Sequence, residues 1–301
     1  MATMYRPVGI FYAYWTREWD VDFLPFADKV KRLGFDGLEL HAAVLANRDR
    51  AYRLAVKKAA EDAGVILTYG MGLAKEYDLS STLEETRQRG VAYMKKIIQA
   101  VGETGGGPVS GTVHSYWPAV FPEGAESKAP MREQSIRSMR ELAPFALERG
   151  VTLNVEVINR FEQFLINTCA EARAYVDEVD SPACNILLDT FHMNIEEDSL
   201  GDAIRLAGSR LAELHLGEPN RKPPSDRGRM PWGEIRDALH AVHFAGPLVM
   251  EPFITPGGPV GRAIGVWREV AREAEADDMA RESAAFVKRF FQQSEAAEVR
   301  E

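Results

Sequence analysis

Cysteine and histidine are scarce in this sequence, and each shortage narrows the kind of site it can form. The two cysteines, Cys169 and Cys184, form no Cys-x-x-Cys pair. We expect both thiols to be reduced and buried, as in a cytosolic protein. Six histidines are too few for a large histidine-rich zinc cluster.

An excess of positive charge and a long apolar run are also absent. Lysine and arginine number 36 against 45 acidic residues, which gives a net charge of −9 and argues against a nucleic-acid partner. No apolar run approaches the roughly eighteen residues that span a membrane. Residues 1–7 lack the layout of a signal peptide. We therefore expect a cytoplasmic protein with neither a nucleic-acid nor a membrane partner.

The apolar content is ample for one large core. It reaches 46%, and no Ser/Gly-rich or charged linker divides the 301 residues. Barrels of alternating strands and helices often reach this length as one domain. We expect a single domain over residues 1–301, with a C-terminal helical extension from about residue 262.

Strand-like and helix-like patterns alternate eight times along the chain. The predicted strands are 8–15, 35–41, 65–71, 109–117, 152–157, 185–189, 211–216 and 247–251. The predicted helices are 22–33, 49–63, 81–101, 131–149, one starting at Thr168, 199–207, one starting at Trp232, and a bipartite C-terminal region that ends near Gln292. Ser81 with Glu84, and Thr168 with Glu171, have the spacing of capping boxes. Eight such units favour the α/β class and a closed (β/α)8 TIM barrel over an open sheet.

Four polar residues lie at the ends of the last four predicted strands, about one strand-plus-helix unit apart. They are Glu156, Asp189, His215 and Glu251. The C-terminal ends of barrel strands gather at one face, so these side chains are expected to meet there. Three carboxylates and one imidazole suit Mn²⁺, Mg²⁺ or Co²⁺ better than a thiolate-type zinc site.

Further polar and aromatic residues are expected around this face. Glu162, His192 and Arg221 follow three of the four strand ends, and offer the donors and the acceptor that a polyhydroxylated substrate needs. Each of these three could alone be an ordinary loop residue. Aromatic residues stand at the ends of the first, fourth and eighth predicted strands, where they could pack in the core or cover sugar carbons: Phe11, Trp15, Trp117 and Phe253.

Long ungapped motifs carry a family resemblance that covers nearly the whole chain. They include Glu156-Val-Ile-Asn-Arg-Phe-Glu162, Leu188-Asp-Thr-Phe-His-Met-Asn-Ile-Glu-Glu197, His215-Leu-Gly-Glu-Pro-Asn-Arg221 and Met250-Glu-Pro-Phe253. In these motifs the sequence resembles the D-tagatose 3-epimerase/D-psicose 3-epimerase family. The resemblance implies an isomerase on a (β/α)8 barrel that acts on free ketoses as small-molecule substrates.

The resemblance also implies roles for the residues already singled out. Glu156, Asp189, His215 and Glu251 would bind a metal, commonly Mn²⁺, with Mg²⁺ or Co²⁺ as substitutes. Glu162, His192 and Arg221 would contact the O1 to O3 region of the sugar. The family resemblance further suggests a homodimer or homotetramer. Residues 222–231 depart from the tighter Pro-Gly turn of the family, and Phe11 stands where some D-psicose-preferring members carry tyrosine.

The mechanistic hypothesis assigns Glu156 and Glu251 as the catalytic pair. One carboxylate would remove the C3 proton of the ketose, and the other would return it on the opposite face. An aldose–ketose isomerase or an inosose dehydratase on the same barrel is the nearest alternative. A non-catalytic sugar-binding protein is another. A DNA-repair phosphodiesterase of the same superfamily is disfavoured by the six histidines and the acidic charge balance.

Overall fold

The computed structural model describes residues 5–292, and in it eight parallel strands close into a barrel in the order of the chain. Each strand pairs with the next, and the eighth pairs with the first. The strands are β1 Val8–Phe11, β2 Gly37–His41, β3 Ile66–Gly72, β4 Gly107–Thr112, β5 Val151–Glu156, β6 Cys184–Asp189, β7 Leu211–Leu216 and β8 Leu248–Met250. The predicted TIM barrel is confirmed.

Helices follow the strands and cover the outside of the barrel. They are α1 Leu24–Arg32, α2 Ala42–Asn47, α3 Arg50–Ala63, α4 Glu84–Glu103, α5 Ala129–Leu147, α6 Cys169–Val179, α7 Thr190–Glu196, α8 Leu200–Ala207, α9 Trp232–Ala241, α10 Gly258–Ile264 and α11 Ala276–Gln292. Within residues 5–292, no helix has the length and apolar character needed to cross a membrane.

The helix starts test the two predicted capping boxes. Thr168 and Glu171 form the box at the start of α6, with both reciprocal hydrogen bonds present. The prediction for Ser81 is wrong, because α4 begins at Glu84 with Leu83 as its N-cap. The Ser81 hydroxyl instead accepts a hydrogen bond from the Leu83 amide across 3.2 Å, so it stabilises the turn before the helix.

The first and fourth strands are shorter than predicted. β1 stops at Phe11, since residues Tyr12–Trp15 turn into a 3-10 helix. β4 stops at Thr112, where the Val113 amide bonds back to the Gly111 carbonyl. Gly111 has φ +120°, and a Cβ there would lie 2.0 Å from the Met71 carbonyl oxygen, so only glycine fits. Trp15 therefore lies in a 3-10 helix and Trp117 in a loop, and neither belongs to a strand.

Two helices were not predicted, and both directly follow strands. α2 follows β2, and α7 follows β6. The side chain of Asp189 accepts a hydrogen bond from the Phe191 amide across 2.7 Å and so caps α7. This bond occupies Oδ1 and fixes the direction of the second carboxylate oxygen.

A layer of polar side chains fills part of the barrel interior. Glu39, Ser110, Asn154 and Glu213 are all fully buried. The Asn154 amide donates to the Ser110 hydroxyl across 3.0 Å, and that hydroxyl donates to the carboxylate of Glu213. The alternate residues Leu153 and Val155 belong to the apolar core. The alternating polar side chains of β5 and β7 thus form part of a layer inside the barrel, beneath its C-terminal face.

Candidate active site

The four strand-end residues meet at one point, as the spacing predicted. Glu156 ends β5, Asp189 ends β6, His215 lies one residue before the end of β7, and Glu251 directly follows β8. One oxygen or nitrogen atom from each lies within 4.8 Å of the corresponding atoms of the others. The parallel register places Asp189 beside His215. This convergence is a product of barrel closure, since the four residues come from four successive strands.

The chemistry of this cluster fits a divalent cation. Burial, reinforced by the charge of Glu251, raises the pKa of Glu156 well above its ordinary value. Burial also raises the pKa of Asp189 to about 6. Nδ1 of His215 is buried and finds no hydrogen-bond partner among residues 5–292, and it faces Glu251 Oε2 at 3.7 Å. Crowded carboxylates beside an unpartnered ring nitrogen form a donor set that a hard cation would satisfy.

Arg221 places a positive charge among the same carboxylates. Its Nη1 lies 3.1 Å from Asp189 Oδ2 and 3.0 Å from Glu251 Oε2. The guanidinium carbon lies 3.9 Å from the centre of the Phe191 ring. The backbone at Arg221 is left-handed, with φ 61°, in a turn closed by its amide on the Glu218 carbonyl. The turn therefore directs this side chain into the acidic cluster.

The hydrogen bonds of His192 define its tautomer. Its Nδ1 lies 2.7 Å from the Asn159 side-chain nitrogen and 3.4 Å from the Asn159 amide nitrogen. Both of those nitrogens donate, so Nδ1 accepts and the neutral ring carries its proton on Nε2. Arg221 Nη2 also approaches Nε2, but at 3.4 Å this contact is longer than the 2.7 Å contact that selects the tautomer. Burial, together with the nearby charge of Arg221, lowers the pKa of His192 well below its ordinary value. Nε2 faces Glu156 Oε1 at 3.6 Å, so His192 presents an N–H to the site.

Asn159 links His192 to Glu162. Its side-chain nitrogen also donates to Glu162 Oε1 across 2.9 Å, and its side-chain oxygen accepts from the Phe161 amide. Trp117 Nε1 donates to the second oxygen of Glu162 across 3.1 Å. These bonds hold Trp117, Glu162, Asn159 and His192 in one connected network.

A cavity of about 280 Å³ opens above the cluster. Six of the seven polar residues predicted for the site line it: Glu156, Glu162, His192, His215, Arg221 and Glu251. The seventh, Asp189, is fully buried beside Arg221. The volume of the cavity and its mixture of charged and apolar walls suit a small polar ligand such as a monosaccharide.

Three of the four predicted aromatic residues line the cavity, namely Phe11, Trp117 and Phe253. Trp15 does not, because the 3-10 turn carries it to the outer surface. There its indole N–H donates to Asp277 Oδ1 across 2.7 Å, and the Lys29 amine lies 4.7 Å from the ring centre. Of the two tryptophans near the N-terminus, Trp19 is the one that lines the cavity, and it was not among the predicted site residues.

Sequence reasoning also missed three polar residues. His41 lines the cavity, Asn159 bonds to His192, and Glu39 lies 3.3 Å from Nε2 of His215. His41 and Glu39 lie at alternate positions near the end of β2, so the sequence places both on one face of that strand. Alternation alone does not say which residue across the barrel each side chain contacts.

The loop after Arg221 is organised by one buried carboxylate. Glu218 accepts hydrogen bonds from the Arg229 amide at 2.8 Å, the Met230 amide at 3.3 Å and the Trp232 indole at 3.3 Å. A Cβ on Gly228 would lie 1.7 Å from the Glu218 carboxylate. The residues that depart from the Pro-Gly turn therefore wrap around Glu218 beside the site.

Comparison with known proteins first defines the class. Residues 27–290 match the family model for xylose isomerase-like TIM barrels. A closed eight-stranded barrel is the architecture that this class describes, and here its strand ends carry an acidic cluster that could hold a cation.

Two named relatives narrow the class to one family. The chain is 41% identical over 281 residues to D-psicose 3-epimerase of Agrobacterium fabrum, across 92% of this chain and 96% of that protein. It is 42% identical over 277 residues to D-psicose 3-epimerase of Ruminiclostridium cellulolyticum, across 92% and 94%. The chain belongs to the D-psicose 3-epimerase family. The named relatives are epimerases, which are isomerase-class enzymes acting on sugars.

Solved structures agree with this assignment. A crystal structure of D-psicose 3-epimerase in the presence of D-fructose superposes with a TM-score of 0.92 at 40% identity, covering 95% of this chain and 100% of that one. The same enzyme from Clostridium cellulolyticum H10, crystallised with D-tagatose, gives the same score, identity and coverage. A structure of L-ribulose 3-epimerase superposes at 0.87 with 27% identity over 98% of each chain.

Proposed function

We propose that this protein is a metal-dependent ketose 3-epimerase. Its substrates would be free ketohexoses, as the pairs D-tagatose/D-sorbose and D-fructose/D-psicose, and also ketopentoses. The observation that carries the proposal is the placement of Glu156 and Glu251 on non-neighbouring strands, both lining one cavity and both within the cation-binding cluster. Structures of relatives in the presence of D-fructose and with D-tagatose support the substrate class.

Glu156, Asp189, His215 and Glu251 would hold the cation, which we propose to be Mn²⁺, with Mg²⁺ or Co²⁺ able to replace it. When bound, such a cation supplies Lewis-acid polarisation of the carbonyl next to the reacting carbon. Arg221 adds a fixed positive charge from the protein at the same place.

Proton transfer at C3 is assigned to the two glutamates. One carboxylate removes the proton from one face of C3, which leaves an enediolate, and the other glutamate delivers a proton to the opposite face. In the metal-free protein the pair is already unequal. Burial and Glu251 raise the pKa of Glu156. Burial works against ionisation of Glu251, but the nearby His215 and Arg221 outweigh this effect and lower its pKa. Unequal carboxyl groups can act as acid and base, and their roles exchange between the two epimers.

His192 and Arg221 would position the sugar. The Nε2–H of His192 and the guanidinium of Arg221 point at the region between the glutamates and would donate to O1 and O2 as charge develops. Glu162 would accept from a hydroxyl. The rings of Phe11, Trp117 and Phe253 would cover the carbon face of the sugar and exclude water.

The test is product analysis with purified protein, Mn²⁺ and D-fructose or D-tagatose. We expect the C3 epimer as product, with solvent deuterium at C3 when the reaction runs in deuterated water. An aldose product would instead identify an aldose–ketose isomerase, a dehydrated product would indicate an inosose dehydratase-like enzyme, and no turnover would support a sugar-binding protein.

Variants extend this test to the catalytic pair. Glu156→Gln and Glu251→Gln should each lower kcat by about 10²- to 10⁴-fold, because each removes one proton carrier. Glu148→Gln, at a surface ion pair with Arg149, is the matched control and should behave as wild type. Wild-type turnover in either site variant would refute the two-carboxylate mechanism.

We also propose a cytoplasmic homodimer or homotetramer with one domain over residues 1–301. Family membership supports the oligomer. The buried free thiols Cys169 and Cys184 support a reducing compartment. The single domain is supported by α11, which packs against the first part of the chain. Arg6 Nη1 donates to the Phe291 carbonyl across 2.6 Å, and Lys288 forms an ion pair with Asp36. Residues 293–301 lie outside the described residues.

A further inference from the structure

The two ring nitrogens of His215 have different surroundings. Nδ1 faces Glu251 at 3.7 Å and has no hydrogen-bond partner within residues 5–292. Nε2, on the opposite edge of the ring, lies 3.3 Å from Oε2 of Glu39. Glu39 is fully buried on β2, does not line the cavity and is not one of the four strand-end residues. It therefore reaches the site through His215, on the side of the ring away from Glu251.

We propose that Glu39 is a positioning residue for the cation centre, holding Nε2–H of His215 so that Nδ1 is directed at the bound metal ion. This inference rests on the proposed metal-dependent function. A metal-binding imidazole uses its unprotonated nitrogen, and a carboxylate on the other N–H fixes both the tautomer and the ring orientation. The same carboxylate makes the ring a stronger electron donor to the cation.

The neighbouring strand is shaped to accept this carboxylate. Thr68 on β3 pairs with Glu39 in the sheet register, and its hydroxyl donates to Glu39 Oε2 across 3.1 Å. Gly70 lies two residues further on, where a Cβ would come within 2.6 Å of Glu39 Oε1. Gly70 is not in the left-handed region, so its backbone conformation does not require glycine. The absence of a side chain at Gly70 leaves room for the Glu39 carboxylate.

A second buried carboxyl group provides a matched comparison. Glu213 lies on β7 two residues before His215 and is as deeply buried as Glu39. Its hydrogen-bond partner is the Ser110 hydroxyl, which is in turn bonded to Asn154. One oxygen of Glu213 lies within 4.8 Å of atoms of both Glu39 and His215, but none of the hydrogen bonds found in residues 5–292 joins Glu213 to His215. A general effect of buried acid groups would act through both residues, whereas the proposed role belongs to Glu39 alone.

The experiment measures Mn²⁺ binding to metal-free protein by isothermal titration calorimetry. We expect Glu39→Gln to raise the Kd for Mn²⁺ by about 10- to 100-fold. Glu213→Gln should stay within about twofold of wild type, and Asp189→Asn, which alters a proposed ligand, should abolish tight binding. Circular dichroism melting of each metal-free variant checks the fold. If Glu39→Gln does not fold, Thr68→Val serves instead, and it should raise the Kd by about fivefold, the equivalent of one hydrogen bond.

The three variants distinguish the role of Glu39 from the existence of the metal centre. Wild-type Mn²⁺ affinity in folded Glu39→Gln, with binding lost in Asp189→Asn, would overturn the role of Glu39 and leave the metal centre intact. An equal loss in Glu213→Gln and Glu39→Gln would also overturn it, because the effect would then come from buried charge in general. Unchanged affinity in Asp189→Asn would refute the metal centre itself, and with it both proposals.

Discussion

Nη1 of Arg221 donates to Oδ2 of Asp189 across 3.1 Å, while Oδ1 of the same carboxylate caps α7 through the Phe191 amide. Both oxygens of Asp189 are thus oriented by the protein before any cation binds. Arg221 also lies 3.0 Å from Glu251, so one guanidinium offsets the repulsion within a buried group of acids.

Replacing Arg221 with methionine should destabilise the metal-free protein by about 3 to 5 kcal/mol, because the acidic cluster loses its buried cation. Mn²⁺ should restore much of this loss, since it supplies positive charge at the same place. Urea denaturation with and without Mn²⁺ measures both effects. Arg221→Lys keeps the charge and serves as the control, and equal stability of metal-free Arg221→Met and wild type would contradict the prediction.

Asn159→Asp should lower kcat/KM by about 10- to 100-fold without weakening Mn²⁺ binding by more than about twofold. The amide donates to both His192 Nδ1 and Glu162 Oε1, and a carboxylate can donate to neither. Steady-state kinetics and calorimetry measure the two quantities. Asn185→Asp makes the same chemical change at a side-chain amide that, within residues 5–292, donates only to the Pro182 carbonyl. Unaltered kinetics in Asn159→Asp would show that the tautomer of His192 has no part in turnover.

The two tryptophans near the N-terminus should differ in their effect on substrate binding. Trp19→Leu should raise the KM for a ketose by about 10-fold, because it removes an aromatic wall of the cavity. Trp15→Leu should leave KM near wild type, since that ring contacts Asp277 and Lys29 outside the cavity. Kinetics with D-fructose and D-tagatose compare the variants. A larger KM effect from Trp15→Leu would mean that the loop holds a different position when sugar binds.

His114 should make the protein sensitive to acid. It is fully buried, neither ring nitrogen finds a partner within residues 5–292, and burial lowers its pKa to about 3. The unfolded chain takes up a proton as the pH falls through about 6.5, whereas the folded chain does not. The neutral His114 therefore makes its full contribution to the free energy of unfolding above about pH 6.5. This contribution is lost progressively as the pH falls, and the loss amounts to about 2 kcal/mol at about pH 5.

Replacing His114 with phenylalanine should remove this part of the acid sensitivity. The free energy of unfolding of the metal-free variant, measured by urea at about pH 7 and about pH 5, should fall by about 2 kcal/mol less than that of wild type. His243→Asn changes an exposed histidine with φ 55°, a conformation that asparagine accepts, and should follow wild type. Equal pH dependence in all three proteins would contradict the assignment.

Two glycine-to-alanine changes should alter stability in opposite directions. Gly70→Ala places a methyl group 2.6 Å from Glu39 Oε1 and should destabilise the protein by about 1 to 3 kcal/mol. Gly233→Ala lies in α9, where no atom beyond its chain neighbours and its own helix backbone lies within 4 Å of the added carbon, and should stabilise the protein by about 0.5 to 1 kcal/mol. Thermal melting in the metal-free state compares them. A neutral Gly70→Ala would show that Glu39 has more room than the structure indicates.

The sequence by itself determined the barrel and the strand-end cluster. Alternation with a period of two identifies which side chains of a strand share a face, and eight strand–helix units permit closure. Glu156, Asp189, His215 and Glu251 could be found in this way because each is fixed by its own strand. Their meeting point then follows from the topology, whatever the detailed loop paths.

Only the tertiary structure decided which residues support that cluster from a distance. Glu39 and His215 are 176 positions apart, and their contact depends on the stagger of β2 against β7 across the barrel. Trp15 and Trp19 lie only four positions apart, yet the 3-10 helix Tyr12–Trp15 carries the first to the outer surface while the second lines the cavity. Local periodicity specifies the face of a strand, but contacts across the barrel and the direction of loops depend on how all the elements pack together.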